Sequence, residues 1–215
     1  YAGPVDGRVD PKVSAQHVSA QAVHLASDNG DVSASSVAVT KLFAHSGYGS
    51  VTAQQVHAPT VALTSDNGDV TVRSLRATSI SADSGYGAGT LDNVAAPVVV
   101  AHDVNGSVTV SAVSSRTLQL TTGYGPVSLS GVRTTNLLVR SDSGDIRADL
   151  SSAPENASLS SGYGKADLAV PTGRYSVSAT SGYGLATITG LTVDPHATRL
   201  LSVHSDNGDV AVTGS

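Results

Sequence analysis

Apolar residues fall at fixed offsets between recurring glycines. After Gly30 they are Val32, Ala34, Val37, Val39, Leu42 and Ala44; after Gly49 they are Val51, Ala53, Val56, Ala58, Val61 and Leu63. After Gly68 the set is Val70, Val72, Leu75, Ala77, Ile80 and Ala82, and Val13, Ala15, Val18, Ala20, Val23 and Leu25 obey the same rule. Each unit therefore holds three apolar pairs of period two, the mark of strands with one buried face. Steps of three separate the pairs. One extra residue at each step turns a corner and leaves the next pair pointing inward.

The third corner carries a motif of two alternating kinds. Ser27-Asp28-Asn29-Gly30-Asp31 is followed by Ser46-Gly47-Tyr48-Gly49, then Ser65-Asp66-Asn67-Gly68-Asp69, then Ser84-Gly85-Tyr86-Gly87. The last glycine of each motif lies at 30, 49, 68, 87, 106, 125, 144, 164, 184 and 208. The spacing is 19 up to Gly144, then 20, 20 and 24. This corner is expected to be the sharp one, with Gly and Asn at positive φ.

The pattern predicts an all-β chain forming a single parallel β-solenoid, wound right-handed. About eleven coils at about 4.8 Å give a rod on the order of 50 Å long. Val13, Val32, Val51, Val70, Val108, Val127 and Ile146 should stack in one column, interrupted by Gly89. A coil buries its side chains only against its neighbours, so none is stable alone. A β-propeller is the alternative, because the alternating motifs give a 38-residue super-repeat. It needs hairpin turns at Ser35-Ser36, Gln54-Gln55, Thr40-Lys41 and Thr78-Ser79, which are poor hairpin formers. Residues 1–10 are expected to be a lead-in or cap, 11–152 regular coils, and 153–215 less regular coils. Small loops are expected at Ala153-Pro154-Glu155-Asn156, at Pro171-Thr172-Gly173 and between Leu191 and Leu201.

Composition narrows the function. Of the 215 residues 40% are hydrophobic but only 4% aromatic, so the core must be built from Val, Ala, Leu and Ile. The formal net charge is −5 and no basic patch with interleaved aromatics occurs, so nucleic acid is not an expected partner. No apolar run is long enough for a membrane-spanning helix. There is no Cys, which removes disulfides and thiolate metal sites. The chain starts at Tyr1 rather than Met, which suggests processing or trimming. No cofactor is expected.

Repeated Ser-Asp-Asn-Gly-Asp-Val, Ser-Asp-Ser-Gly-Asp-Ile and Ser-Gly-Tyr-Gly units between short Val/Leu strands resemble a bacterial β-strand-repeat family of unknown function that carries an adhesin label. The resemblance runs from about Ser27 to Val212. It implies a β-repeat fold on exported or envelope proteins, and no catalytic residues. The polymerising β-helical bactofilins are broadly similar in architecture, but their short regular repeats lack the alternating corner.

The tyrosines Tyr48, Tyr86, Tyr124, Tyr163 and Tyr183 share the corner register. Most should lie about two coils, near 10 Å, apart. They form either an aromatic stripe for sugar rings or a protein partner, or corner fillers that cover the neighbouring turn. Asp28, Asp31, Asp66 and Asp69 are weak Ca²⁺ candidates, as are the matching Asp142, Asp145, Asp206 and Asp209. Acidic corners alternate with Gly-Tyr-Gly corners, so adjacent coils do not supply matching carboxylates, and Asp favours such turns for its own hydrogen bonds. Asn105 and Asn156 lie in glycosylation sequons. The outward row Ser14, Ser33, Thr52, Thr71, Thr90, Thr109 and Ser128 is a rank of strand-favouring polar residues. His45, His102 and His204 share a register but lie several coils apart. A carbohydrate-acting enzyme would use the breaks in the repeat near Glu155, Arg174, Asp194 and His196.

A solenoid presents an unpaired strand at each end. Pro4, Gly7 and Pro11 could blunt one end, and Val210-Ala211-Val212 is expected to be a bare strand at the other. The expectation is a non-enzymatic structural or adhesive protein, extracellular or on a cell surface. It would contact itself through its solenoid ends, or a surface glycan or protein through the tyrosine corner.

Overall fold

A computed structural model describes residues 12–215. Among them every element is a β-strand, and every strand pairing is parallel. The chain winds into a β-solenoid of about ten turns with a period near 19 residues. Pro4, Gly7 and Pro11 lie outside the described residues.

The inward pairs stack as the period demands. Val13 pairs with Val32, Val32 with Val51, and Val51 with Val70. Gly89 follows Val70, then Val108, Val127 and Ile146. From Val32 onward the valines and Ile146 are at most 1% exposed, and they join one continuous core of Val, Ala, Leu and Ile. Each buried side chain of this size contributes roughly 1.5–3 kcal/mol relative to an exposed one.

One expectation about the corners is corrected. Positive φ does not occur at the Gly-Tyr-Gly or Asn-Gly corner. It occurs at the corner between the first and second inward pairs, at His17, Ser36, Gln55, Ser74, Asn93 and Ala112, with Gly131 continuing the register. The single extra residue there reverses its backbone to keep the next pair inward, and it does so at φ between 51° and 60°. Interlayer bonds support some of these non-glycine residues: Ser36 Oγ donates to Gln55 Oε1 at 3.0 Å, and Asn93 Nδ2 to Ser74 Oγ at 3.3 Å.

The motif glycines are required for closeness instead. A Cβ on Gly49 would collide with the Gly30 carbonyl, one on Gly68 with Gly49, and one on Gly87 with Gly68. The contacts continue through Gly106, Gly125, Gly144 and Gly164. They then run to Gly208, and from Gly208 to Gly184.

That last step exposes an inversion of layer order. The Ala166–Val170 strand pairs not with Ala186–Thr189 but with Val210–Gly214. Val210–Gly214 pairs on its other side with Ala186–Thr189. The neighbouring face repeats this: Leu200–Ser205 lies between Asn156–Ser161 and Arg174–Ser181. The chain lays down the Arg174–Thr189 layer one position too far out, then returns to fill the gap with residues 200–214.

The C-terminal strand is therefore not bare: Val210 and Val212 are buried and paired on both sides. Leu191 to Leu201 is the connection back into the gap rather than a simple outward loop. It contributes a two-residue strand, Thr192–Val193, that pairs with Arg174 and Tyr175. Tyr175, fully buried, donates its hydroxyl to the Pro171 carbonyl at 2.8 Å. Burial pushes its phenol above the ordinary tyrosine value, with Arg199 pulling the other way.

Candidate functional site

The glycine corner is assembled by one repeating hydrogen-bond device. Ser46 Oγ accepts from the Gly49 N–H at 2.8 Å, closing its own turn, and donates to the Gly30 carbonyl at 2.8 Å, joining the turn before. Ser65, Ser161 and Ser205 do the same. Ser181 caps Gly184 and donates to Gly208, again placing residue 208 next to 184.

The two turn types interlock in pairs. The first glycine of each Gly-Tyr-Gly turn faces the carbonyl of residue 28, 66, 104, 142 or 206 in the layer before it, leaving no room for a Cβ. In four of the five pairs an acidic turn then caps its partner: Asp31 accepts from the Ser50 N–H at 2.9 Å, Asp69 from Ala88 at 2.7 Å, Asp145 from Lys165 at 2.8 Å and Asp209 from Leu185 at 3.1 Å. The Ser50 backbone N–H, then its hydroxyl, hold the Asp31 carboxyl below the usual range. The Leu185 N–H, then the Lys165 side chain, do the same for Asp209. These carboxylates are spent on turn geometry. No cluster of three His, Asp or Glu side chains arranged for a metal ion occurs among the described residues.

The inversion restores the alternation of the turns. In sequence, Gly162-Tyr163-Gly164 and Gly182-Tyr183-Gly184 follow one another without an acidic turn between them. In space, Asp206-Asn207-Gly208 lies between them. The Asn207 N–H bonds to the Gly162 carbonyl, and the Tyr183 N–H to the Asp206 carbonyl. The corner therefore runs Asn29, Tyr48, Asn67, Tyr86, Asn105, Tyr124, Ser143, Tyr163, Asn207, Tyr183.

The five tyrosines are not fillers. Tyr48, Tyr86, Tyr124, Tyr163 and Tyr183 are 70, 68, 68, 72 and 88% exposed. Their hydroxyls make no hydrogen bond among the described residues. The glycine on either side of each contributes no side chain, and the intervening layers offer only Asn or Ser. The rings stand as a ridge above short polar neighbours.

One position breaks the serine ladder. Asp103 stands where the other turns have Ser or Thr, and it is fully buried. Its Oδ1 accepts from the Gly106 N–H, but Oδ2 has no partner. A hydroxyl here would donate to the Gly87 carbonyl, which a carboxylate cannot do. Burial pushes the carboxyl above its ordinary value, opposed by the Gly106 and Asn105 N–H groups and by His102, while Asp69 adds to the rise. The folded chain thus holds this proton more tightly than the unfolded chain. The associated stability is complete below the unfolded value near about 4 and is lost as pH rises through the folded value. Asp103→Ser is expected to stabilise the protein by about 1–3 kcal/mol at neutral pH. Urea unfolding across a pH series should show the gain shrinking toward acid. A gain that ignored pH, or a loss, would refute this account.

The remaining candidates are scattered. Arg174 meets Asp194 at 3.3 Å, and Asp194 accepts from the His196 N–H at 2.9 Å. Glu155 lines a separate open groove with Arg133, Arg199 and several hydroxyl residues. His204 contacts Asp206 and Thr180, each at 2.9 Å. Asn105 is exposed at the corner, whereas the Asn156 amide bonds to Asn136 at 2.9 Å.

Fold and ridge define the class: a parallel β-solenoid whose alternating turns display one row of aromatic side chains. The chain belongs to the Toastrack DUF4097 family, a family of unknown function whose model matches residues 5–88 and 72–213. No curated protein and no solved structure matches it.

Proposed function

We propose that this protein is a non-enzymatic, rigid adhesive rod, displayed outside the cell or on its surface, with the tyrosine ridge as its contact face. The observation that carries this reading is the exposure of all five corner tyrosines in one unbroken alternating row. A turn that needed only filling would lay its ring over the backbone. Tyrosine supplies contact area at low cost in side-chain freedom and concentrates at interfaces. The absence of a helix long and apolar enough to cross a membrane among the described residues is compatible with a displayed domain.

The test is the variant Tyr86→Ala/Tyr124→Ala/Tyr163→Ala, compared with the parent for adhesion to whole cells and to glycan and protein arrays. Lost adhesion with an unchanged melting temperature supports the reading. Full adhesion by the variant would end it.

A second reading, end-to-end assembly, is favoured by the outermost layer. Among the described residues no strand covers the outer side of Ser176–Ser181 or of Ala186–Thr189, while Thr192–Val193 covers Arg174 and Tyr175, and Leu185, Ile188 and Val193 are exposed there. The open edge thus belongs to residues 174–193 rather than to the C-terminal strand. Light scattering of the parent and Ile188→Lys across a concentration series decides this reading. It requires larger particles for the parent alone, and monomers throughout would sink it.

A further inference from the structure

The ridge has a uniform period only because of the layer inversion. Tyr163 and Tyr183 are one turn apart in sequence, yet Asn207 lies between them in space. All neighbouring tyrosines are therefore two layers apart, a repeat of about 10 Å, and five rings span about 40 Å. Asn67, Asn105, Ser143 and Asn207 occupy the layers between at the same register, and Asn67 and Asn207 donate their amides to the Gly47 and Gly162 carbonyls at 3.0 and 3.3 Å.

We propose that this ridge binds a neutral, extended β-1,4-linked polysaccharide, with one tyrosine under every second sugar. The proposal rests on the reading of the ridge as the contact face. In an extended β-1,4-linked chain successive sugars are flipped, so the same apolar C–H face returns once per disaccharide. That length matches two β layers. A tyrosine ring offers the apolar surface for that face. The side-chain carbonyls of Asn67 and Asn207, whose amides are held by the turns, and the side chains of Asn105 and Ser143 are left to bond the hydroxyls of the intervening sugars. Other polymers fit less well. An extended peptide laid along the ridge would return to the same face about every 6.6–6.8 Å, which does not match rings about 10 Å apart. A nucleic acid repeats at about 3.4 Å per nucleotide and carries phosphates. The exposed Asp28, Asp66, Asp142 and Asp206 beside the ridge would repel those phosphates and any polyanionic glycan.

Binding to such a ruler grows with ligand length, because each further ring engages an already tethered chain. The experiment uses the full chain with microcrystalline cellulose, chitin and granular starch in sedimentation assays. It adds calorimetry with β-1,4-linked di-, tetra-, hexa- and octasaccharides of glucose and of N-acetylglucosamine. Retention on cellulose or chitin but not starch is expected, and which of the two is bound identifies the sugar. Affinity should rise steadily from disaccharide to octasaccharide. Each tyrosine changed to alanine should lower affinity by about 2- to 10-fold. A register variant supplies the stricter control: Asn67→Tyr/Asn105→Tyr/Ser143→Tyr added to Tyr86→Ala/Tyr124→Ala/Tyr163→Ala moves three rings by one layer and keeps their period, so it should recover binding lost by the triple alanine variant. Circular dichroism of every variant verifies folding. No retention on either β-1,4-linked polymer, equal retention on starch, or no length dependence overturns the proposal. If the triple alanine variant loses a different partner, the contact ridge stands and only the glycan assignment falls. If it retains every ligand, both fall.

Discussion

Removing residues 195–215 is expected to unfold the layer before them in sequence along with the layer they form. In a solenoid wound in simple order, deleting the last coil uncovers the coil beneath and leaves it paired. Here, among the described residues, the Ala186–Thr189 strand has Val210–Gly214 as its only partner, and Arg174–Ser181 depends on Leu200–Ser205 for all but its first two residues. Deletion also removes Leu201, Val203, Val210 and Val212, four fully buried aliphatic side chains worth roughly 1.5–3 kcal/mol each. Hydrogen exchange should show residues 174–193 losing protection while residues 32–150 keep theirs. Retained protection at 174–193 would mean that the truncated layer re-docks on Asn156–Val170. The layer order itself can be read covalently, because the chain has no cysteine. Asp167→Cys/Ala211→Cys places sulfurs on neighbouring layers, about 4.8 Å apart between backbones, within the range of a disulfide. Asp167→Cys/Thr187→Cys spans two layers, about 10 Å, and should not oxidise intramolecularly. The opposite result would restore simple winding.

Most of the fold was legible because the period-two pairs and the three-residue steps are geometric instructions. Val51 stacking on Val70, and the shared register of Tyr48 and Tyr86, follow directly from counting. Counting fails where order in space departs from order in the chain. The signal was present: two Gly-Tyr-Gly turns in succession, at 162–164 and 182–184, violate an alternation kept everywhere else. Its cause is steric. Gly162 and Gly182 each need a partner turn of the other type beneath them, and only residues 206–208 are left to serve Gly182. Tyr175 was not legible, since it resembles the corner tyrosines in type but sits at an inward position of an irregular coil. The positive-φ corner was hidden as well, because Ser36, Gln55 and Ala112 share no chemistry and only their positions recur. For the candidate site, sequence placed the tyrosines on one corner but could not decide whether their rings were covered. Their exposure depends on the glycines beside them and the short Asn or Ser residues between.

Gly125→Ala tests that dependence and should be among the most damaging single-methyl additions in the protein. The new Cβ would sit inside contact distance of the Gly106 carbonyl and 2.9 Å from the Ser107 nitrogen, both backbone groups that cannot rotate away. Parallel layers are fixed by their hydrogen bonds, so relief requires the corner to splay, pulling Thr122 from its bonds to Gly125 and Gly106. A loss of about 3 kcal/mol or more in urea unfolding is expected, at the upper end of overpacking effects. Gly131→Ala is the matched control. Gly131 has φ of 60° and nothing within 4 Å of a Cβ, so its cost is backbone strain alone, about 1–2 kcal/mol. If the two variants cost the same, the glycines at the tyrosine corner serve conformation rather than closeness. If Gly125→Ala is far worse, layer contact is what demands glycine on both sides of each ring. The open flanks of the ridge would then be a by-product of how the rod is stacked, available to any ligand that fits the spacing.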